Sequence, residues 1–530
     1  MKKLLFAILI IFTNSIASAT TFHGTPDNYL PFISQLQAGD SLILATGNYL
    51  NRLNLDDLIG TENEPIVITA AEDANVILLG NACCNTVSIE RCAWLTISNL
   101  TIDGQNIPYI DAVKAEGTSG NWAHHITIEN LLIINHGGAA LTVGISTKCP
   151  AWNWVIKHNT IIEAGIGMYL GNSDGEKPFV NGIIEYNLIV NTQRYGLQIK
   201  HQNVGSRNIP GMVLNGKTII RYNVISRAAG YDPNTPRPNL LVGAFPATGN
   251  GQDDYYEIYG NFLWQNPNEG LFQGTGNYAF YNNVLVNHHS TGWGIAVNNH
   301  NNFKPRNVHI FNNTILTNSS GIDFYQADPA YQQLVINNAI FAPDPILDAL
   351  DGVVMDNITD SYANAFNYIQ NPSITIDLLD MTPKTGMLQG ATLAIPQIEN
   401  YEDVMLDFDG NHRDWSFKGA YSSIDPPLWD LALEIRREVL GENPNFILEY
   451  AADDINVFPN PTNNTLFLST NGLAITQVNV FDVNGKIVLS PVVQEGITSL
   501  NMNFSPLVKG IYFVQIQIKS QIFIKKVFRI

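Results

Sequence analysis

Charge is scarce in this sequence. Only 14% of its 530 residues are Asp, Glu, Lys or Arg, and 28 basic residues stand against 47 acidic ones, a net charge of −19. That deficit of cations excludes general nucleic-acid binding, in which phosphate neutralisation supplies most of the affinity. Long apolar runs are missing beyond the N-terminus: no later stretch approaches the ~20 residues of a membrane-spanning helix. Cysteine is rare, and Cys83, Cys84, Cys92 and Cys149 have no zinc-site spacing. No glycine-rich phosphate loop and no serine nucleophile elbow occur. Apolar material is not lacking. At 45% hydrophobic, the chain has enough surface to bury that disorder is excluded for most of its length.

The N-terminus reads as an export signal over residues 1–19. Lys2 and Lys3 form a basic start, residues 4–12 an apolar run too short for a bilayer, and Ala17-Ser18-Ala19 a small-residue cleavage site. The mature chain is expected to begin near Thr20. An exported protein can form disulfides, and four cysteines allow three pairings. Adjacent Cys83 and Cys84 are not expected to bond each other, and the cysteines are assigned structural roles.

Asparagine placement is the main fold signal. Short β-branched strands end in Asn99, Asn130, Asn159, Asn187, Asn223, Asn261, Asn283, Asn313 and Asn338, at separations of 22 to 38 residues. Each Asn precedes a short apolar run, such as Thr160-Ile161-Ile162. A Gly and another short strand often follow, as in Gly167-Met168-Tyr169-Leu170 and Gly196-Leu197-Gln198-Ile199-Lys200. One such unit cannot bury its apolar face alone, but stacked units share a continuous core. An Asn at each bend can adopt a left-handed backbone at low cost and hydrogen-bond to its stacked neighbours. Uneven spacing then means constant coils with loops of variable length.

The pattern resembles the right-handed parallel β-helix of the pectate-lyase-like superfamily, over about residues 30–425. Ala38-Gly39-Asp40-Ser41-Leu42 with Gly47-Asn48-Tyr49 is similar to the first coil of such proteins, and Asp407-Phe408-Asp409-Gly410-Asn411 with Gly419-Ala420-Tyr421 to their closing segment. The resemblance implies an all-β solenoid. It does not imply one chemistry, because the fold hosts lyases, hydrolases, epimerases and binding proteins.

Residues 426–450 have helical spacing with a Gly stop, and are expected to cap the open end of the solenoid. Residues 451–530 change character: alternating strands and the Asn484-Gly485 turn describe a small antiparallel β-sandwich. This segment resembles the C-terminal sorting domain of the type IX secretion system. The resemblance implies a secreted or surface location, the secretion machinery as a partner, and no chemistry in the tail.

Strand alternation places Met168, Leu197, Leu271 and Ile322 inward, and so Tyr169, Gln198, Lys200, Phe272, Asp323 and Tyr325 outward, with Asn298. At ~4.8 Å per coil this stripe matches an extended linear polymer. Insertions 171–181, 201–217, 246–254 and 299–307 follow the same strand and would rim a groove, His300 included. Between 194 and 237, Arg194, Lys200, Arg207, Lys217, Arg221, Arg227 and Arg237 face one acid, Asp232. A local positive field in an acidic protein suits a polyanion such as a uronic-acid polysaccharide.

A lyase on such a polymer removes the C5 proton and neutralises the adjacent carboxylate. Lys200 is the candidate base, with His201 as alternative. Arg221 and Arg207 are the candidate neutralisers. This reading requires Lys200 and its arginines to share one trench. Alginate- and chondroitin-type β-helix lyases also place Lys and Arg on nearby coils. Their acidic calcium-ligand pattern is absent, since Gln198 stands where a Glu is expected, so no cofactor is assigned and calcium stays open. Asp253 and Asp254 resemble the paired aspartates of polygalacturonase-type hydrolases, the alternative catalytic pair. A non-catalytic carbohydrate-binding or adhesion protein is the third reading. The chain is expected to act as a monomer.

Overall fold

The computed structural model describes residues 19–300, 302–347, 352–392, 398–439, 455–470, 475–482, 486–494, 496–518 and 521–529. Residues 1–18 of the expected export signal 1–19, and the Asn484-Gly485 turn, lie outside them. The chain divides into two units, Met1–Leu440 and Gly441–Ile530.

The first unit is a right-handed parallel β-helix, the hand that strand twist imposes on parallel crossovers. Each complete coil lays a strand in each of three parallel sheets, called here sheets I, II and III; with partial end coils and two short extra strands in sheet I these have 15, 12 and 11 strands. One turn illustrates the path: Val155–Lys157 in sheet I, Thr160–Ile162 in sheet II, Ile166–Leu170 in sheet III, then Ile183–Glu185 back in sheet I. Coils run from Thr21–Gly24 to Ile358–Asp360. Equivalent residues stack in register. Ile68, Ile97, Ile128, Ile156, Ile184, Ile220 and Ile258 occupy one inward position of sheet I, all fully buried. Each contributes roughly 1.5–3 kcal/mol of hydrophobic burial.

The bend between sheets I and II takes two residues, and the labour is split between them. The left-handed residue comes first: Asn99, Asn130, His158, Tyr186, Tyr222, Gly260, Asn282, Asn312 and Asn337 all have φ between 53° and 63°. The next position carries the ladder. Asn187, Asn223, Asn261, Asn283, Asn313, Asn338 and Asn357 each accept, on the side-chain oxygen, the peptide and amide N–H of the Asn one coil before, at 2.9–3.1 Å. The ladder starts where Leu131 donates its peptide N–H to Asn159. The expectation that one Asn does both jobs is thus corrected. The amide must point inward to reach its neighbours, while a left-handed residue turns its side chain outward. Asn99 and Asn130 belong to the outer position, and Leu100 and Leu131 take the inner one.

Residues 426–439 form no helix, contrary to their spacing, and 440–450 lie outside the described residues. Instead this stretch lies along the side of the solenoid. Trp429 and Leu431 pack with Leu188, Val224, Phe262 and Val284 on the outer face of sheet II, and Arg436 donates to the carbonyls of Gly260 and Phe408. Such tertiary contacts override a weak local helix preference. Residues 398–406 cover the aromatic outer face of sheet I, where Ile398, Val404 and Tyr401 meet Tyr259, Tyr281 and Phe311. The upper coils of sheets I and II are therefore roofed. The short helix Leu30–Ile33, with Tyr29 and Leu36, joins the core at the N-terminal end.

Cys83 and Cys84 do form a disulfide, against expectation, inside a tight turn where the Cys83 N–H donates to Asn81 Oδ1 at 3.0 Å. Cys92 and Cys149 are buried free thiols.

The second unit is an antiparallel sandwich. Ile455–Phe458, Thr465–Thr470 and Ser499–Asn503 make one sheet; Ile487–Leu489, Ile475–Phe481, Gly510–Ile518 and Gln521–Arg529 make the other. Leu466, Leu468, Val478, Val480, Val514 and Ile516 fill the space between.

Candidate functional site

Sheet III presents two outward rows. The first reads Lys114, Ser146, Tyr169, Gln198, Leu241, Gln273, Ala296 and Asp323 in register. The second, where strands give way to loops, includes Glu116, Lys148, Gly171, Lys200, Gly243, Thr275, Asn298 and Tyr325. All four insertions leave this sheet and lead back to sheet I. The expected stripe therefore exists, with one error. Phe272 stacks on Leu240 and Ile295 and is fully buried, while Gln273 takes the outward place. Aligning Gly270 with Gly167 and Gly196 shifted this strand by one residue, and a one-residue slip exchanges the two faces. In register terms Leu271, not Gly270, matches those glycines.

The centre of the stripe is a pair of lysines around an aromatic ring. Lys148 Nζ lies 3.3 Å from the Tyr169 ring centroid, and Lys200 Nζ 5.8 Å from it. Gly171, at φ +82°, occupies the second-row position of the coil between them. A Cβ there would press on Lys200 Cβ at 3.3 Å, so glycine keeps the lysine's path open. Lys114, one coil before Lys148, is shared between Asp111 at 3.5 Å and Glu116 at 3.9 Å. Lys148 and Lys200 make no ion pair among the described residues. Burial pushes Lys148 down to about 7, with Lys114 and Lys200 adding repulsion against the opposing pull of Asp111. Burial also lowers Lys200, and the charge of Arg237 pushes the same way. Both shifts follow from taking an ammonium out of water without a carboxylate in ion-pair contact.

The other candidates divide sharply. His201 and His300 sit beside Lys200. Burial lowers the pKa of both, and Lys200 lowers them further. Asn298 and Tyr325 pair across neighbouring coils at the far end of the stripe, and Asp323 lies opposite Ala296. Gln198 is on the outward row but only 3% exposed, and its Oε1 lacks a partner among the described residues.

Arg221 does not reach this face. It lies on sheet I, where Glu185 (2.7 Å), the Tyr259 hydroxyl (2.8 Å) and Asp403 (3.4 Å) hold it. Lys217, on the same strand, is held by Glu257 and Glu402. Arg207 is buried and paired with Asp254 at 2.5 Å, with two further bonds to Gln202 Oε1. The pair removes one candidate of each chemistry at once: Arg207 is not free for a substrate carboxylate, and Asp254, 2% exposed, is not free for acid or base work. Asp253 is exposed without its supposed partner. Arg227 is spent on backbone carbonyls of residues 192, 193 and 237. The expected shared trench is therefore corrected: Lys200 lies on the stripe without Arg207 or Arg221, and of the basic patch it is the charge of Arg237 that acts on it.

Lys114 and Lys148 were missed, although the signal was present. Gly144-Ile145-Ser146-Thr147-Lys148 repeats the Gly-strand-Lys pattern of Gly196–Lys200, two coils earlier. Among the described residues no three His, Cys, Asp or Glu side chains converge as metal ligands. Asp111 and Glu116 beside this stripe are already taken by Lys114, so these two do not fit a calcium cage. No helix of the described residues is long and apolar enough to cross a membrane.

Comparison with known proteins adds the following. Residues 456–529 match the secretion system C-terminal sorting domain. The second unit is that domain, of the type IX system, and it supports export to the cell surface or beyond. No curated protein sequence matches the chain. Similar solved structures include an alginate lyase from Paenibacillus sp. str. FPU-7, 14% identical over 65% of this chain and 98% of that one, TM-score 0.35. A PL6-family polysaccharide lyase from Pseudopedobacter saltans is 10% identical over 64% and 93%, TM-score 0.34. Pectate lyase Pel9A is 14% identical over 80% and 98%, TM-score 0.34. The class of this protein follows from its own coils and tail: an exported right-handed parallel β-helix with a cationic, aromatic outer face.

Proposed function

We propose that the chain is a polysaccharide lyase that cleaves a uronate-containing polymer by β-elimination along sheet III. The observation that carries this is the pair of half-buried lysines on either side of Tyr169, neither ion-paired. An elimination needs a base that is neutral at working pH, and cations to stabilise the enolate-like charge that forms on the carboxylate. Lys200 is the base. Arg237, not Arg207 or Arg221, stabilises the carboxylate, and Tyr169 offers a ring face to the sugar. Burial and repulsion from Arg237 help keep Lys200 deprotonated.

The test is incubation of the full chain with a panel of uronate polysaccharides, followed by the ultraviolet absorbance of the unsaturated uronate product. Lys200→Ala should lower turnover by about 10²–10⁴ with unchanged stability. New reducing ends without that absorbance would replace elimination by hydrolysis. Binding without either product would leave a carbohydrate-binding or adhesion protein on the same groove.

A further inference from the structure

Next to the Lys148–Tyr169–Lys200 line, towards the N-terminal coils, lies a cleft of about 300 Å³ with two unlike ends. Its polar end is Lys148, with Lys114 and Asp111. Asp111 is fully engaged: Oδ1 accepts the Val143 N–H at 2.8 Å, and Oδ2 accepts the Ser146 hydroxyl at 3.1 Å and faces Lys114 at 3.5 Å. Lys148 is thus the one charge lining this cleft that no described residue balances. The other end is apolar. Leu141, Val143 and Ile166 form a wall, and Tyr109 closes it. Leu141 is 54% exposed and Tyr109 70%, so two large side chains stand in water at the lip on consecutive turns. Nothing in the solenoid requires them there.

We infer that this cleft is a separate sugar subsite, built for a single anionic sugar residue that carries an O-acyl ester. The inference rests on the polysaccharide reading above but not on elimination. The unpaired ammonium calls for one carboxylate. A bare uronate ring would meet the apolar wall with hydroxyls and leave them without partners, whereas an acyl methyl gains from that contact. The volume is at the low end for small-molecule sites and suits one substituted ring rather than a run of sugars. Tyr169 borders both this cleft and Lys200, so the residue bound here neighbours the one bound at the base.

Binding should also be coupled to protons. The groups around Lys148 are Asp111, Lys114 and Glu116 on the preceding coil, Tyr169 on the following one, and Asp174 and Lys200 beyond. In the empty cleft Lys148 is held near 7. A bound carboxylate pulls it back up, so binding takes up a proton at and above that pH. Affinity then falls by up to about tenfold per pH unit above about 7.

Calorimetric titration of the full chain with O-acetylated oligogalacturonide and oligomannuronate, each before and after alkaline deacetylation, tests this. At least one acetylated oligomer should bind about fivefold tighter than its deacetylated form, the worth of one buried methyl group. Leu141→Ser should bring the acetylated form down toward the other. Lys148→Met should weaken binding at least tenfold and flatten its pH dependence. Both altered side chains are at the lip or lack a partner, so both variants should fold, as circular dichroism would confirm. Equal affinity for both forms of each oligomer, a preference that survives Leu141→Ser, or no binding of any oligomer overturns the subsite. Ester preference without an unsaturated product keeps the subsite and removes the lyase; the product without ester preference does the reverse.

Discussion

Sheet I and sheet III belong to the same coils and carry similar numbers of cations, yet they treat them in opposite ways. On sheet I, Lys157 meets Glu129 at 3.1 Å, Arg221 meets Glu185, and Lys217 meets Glu257 and Glu402. Two of the partner acids there, Glu402 and Asp403, come from the segment that returns after the last coil. On sheet III no returning segment arrives among the described residues. Lys148 and Lys200 are half-buried against Tyr169 and stay unpaired. Charge on a solenoid face is therefore not informative until one knows whether another part of the chain comes back to cover it. A paired cation fixes a roof, while a desolvated unpaired one stores a demand for an external anion.

The sharpest break of this contrast is Lys200→Ala. It should lower turnover by about 10²–10⁴ without lowering the unfolding midpoint, whereas Arg221→Ala should lower the midpoint and spare the chemistry of any product formed. Next in size is the buried pair. Arg207→Met leaves Asp254 charged and alone, and should cost about 3–5 kcal/mol in urea unfolding, with Arg207→Met/Asp254→Leu recovering most of it. A single-variant loss below about 1 kcal/mol would mean that the pair is open to water. The bend ladder comes third. Asn223→Ala strips partners from Asn187 and Asn261 and should cost about 3 kcal/mol. Asn159→Leu, at the ladder's end, should cost about half, because Leu131 already fills that position one coil earlier.

Lys148→Met should have an effect of the opposite sign, a gain in stability whose size depends on pH. The folded state holds this lysine near 7, while the unfolded chain keeps it near the ordinary lysine value. Between those limits the unfolded state binds more protons, so wild-type stability gains as pH rises. The variant should therefore outlast the wild type most clearly below pH ~7, and the gap should close in alkali. The smallest effect belongs to the partly exposed Lys157–Glu129 pair, where Glu129→Gln should shift stability by less than about 1 kcal/mol.

How much of this was legible in the sequence differs by level. The fold was, because a solenoid repeats one local solution: the Asn spacing marked the bends, and the Gly-strand units marked sheet III. The two jobs at the bend were not separated, since adjacent Asn-Asn pairs such as Asn282-Asn283 disguise which residue turns and which bonds. Phe272 was misplaced for a related reason: a period-two pattern gives the opposite face after a slip of one. In the candidate site, Tyr169, Gln198, Lys200, Asn298, Asp323 and Tyr325 fall on the outward stripe as alternation required, while Lys148 was overlooked despite a matching motif.

By itself the sequence determined the coil and its inward isoleucines, because each depends on contacts between a residue and its equivalent one repeat away, and it determined the tail through the alternation along its own strands. Only the tertiary structure decided which cations are spent. Glu402 and Asp403 lie more than 180 residues beyond Lys217 and Arg221, and Arg207 meets Asp254 across two long loops. No local period encodes such meetings. They follow from the route the chain takes over the finished surface, and that route leaves sheet III with its lysines facing out.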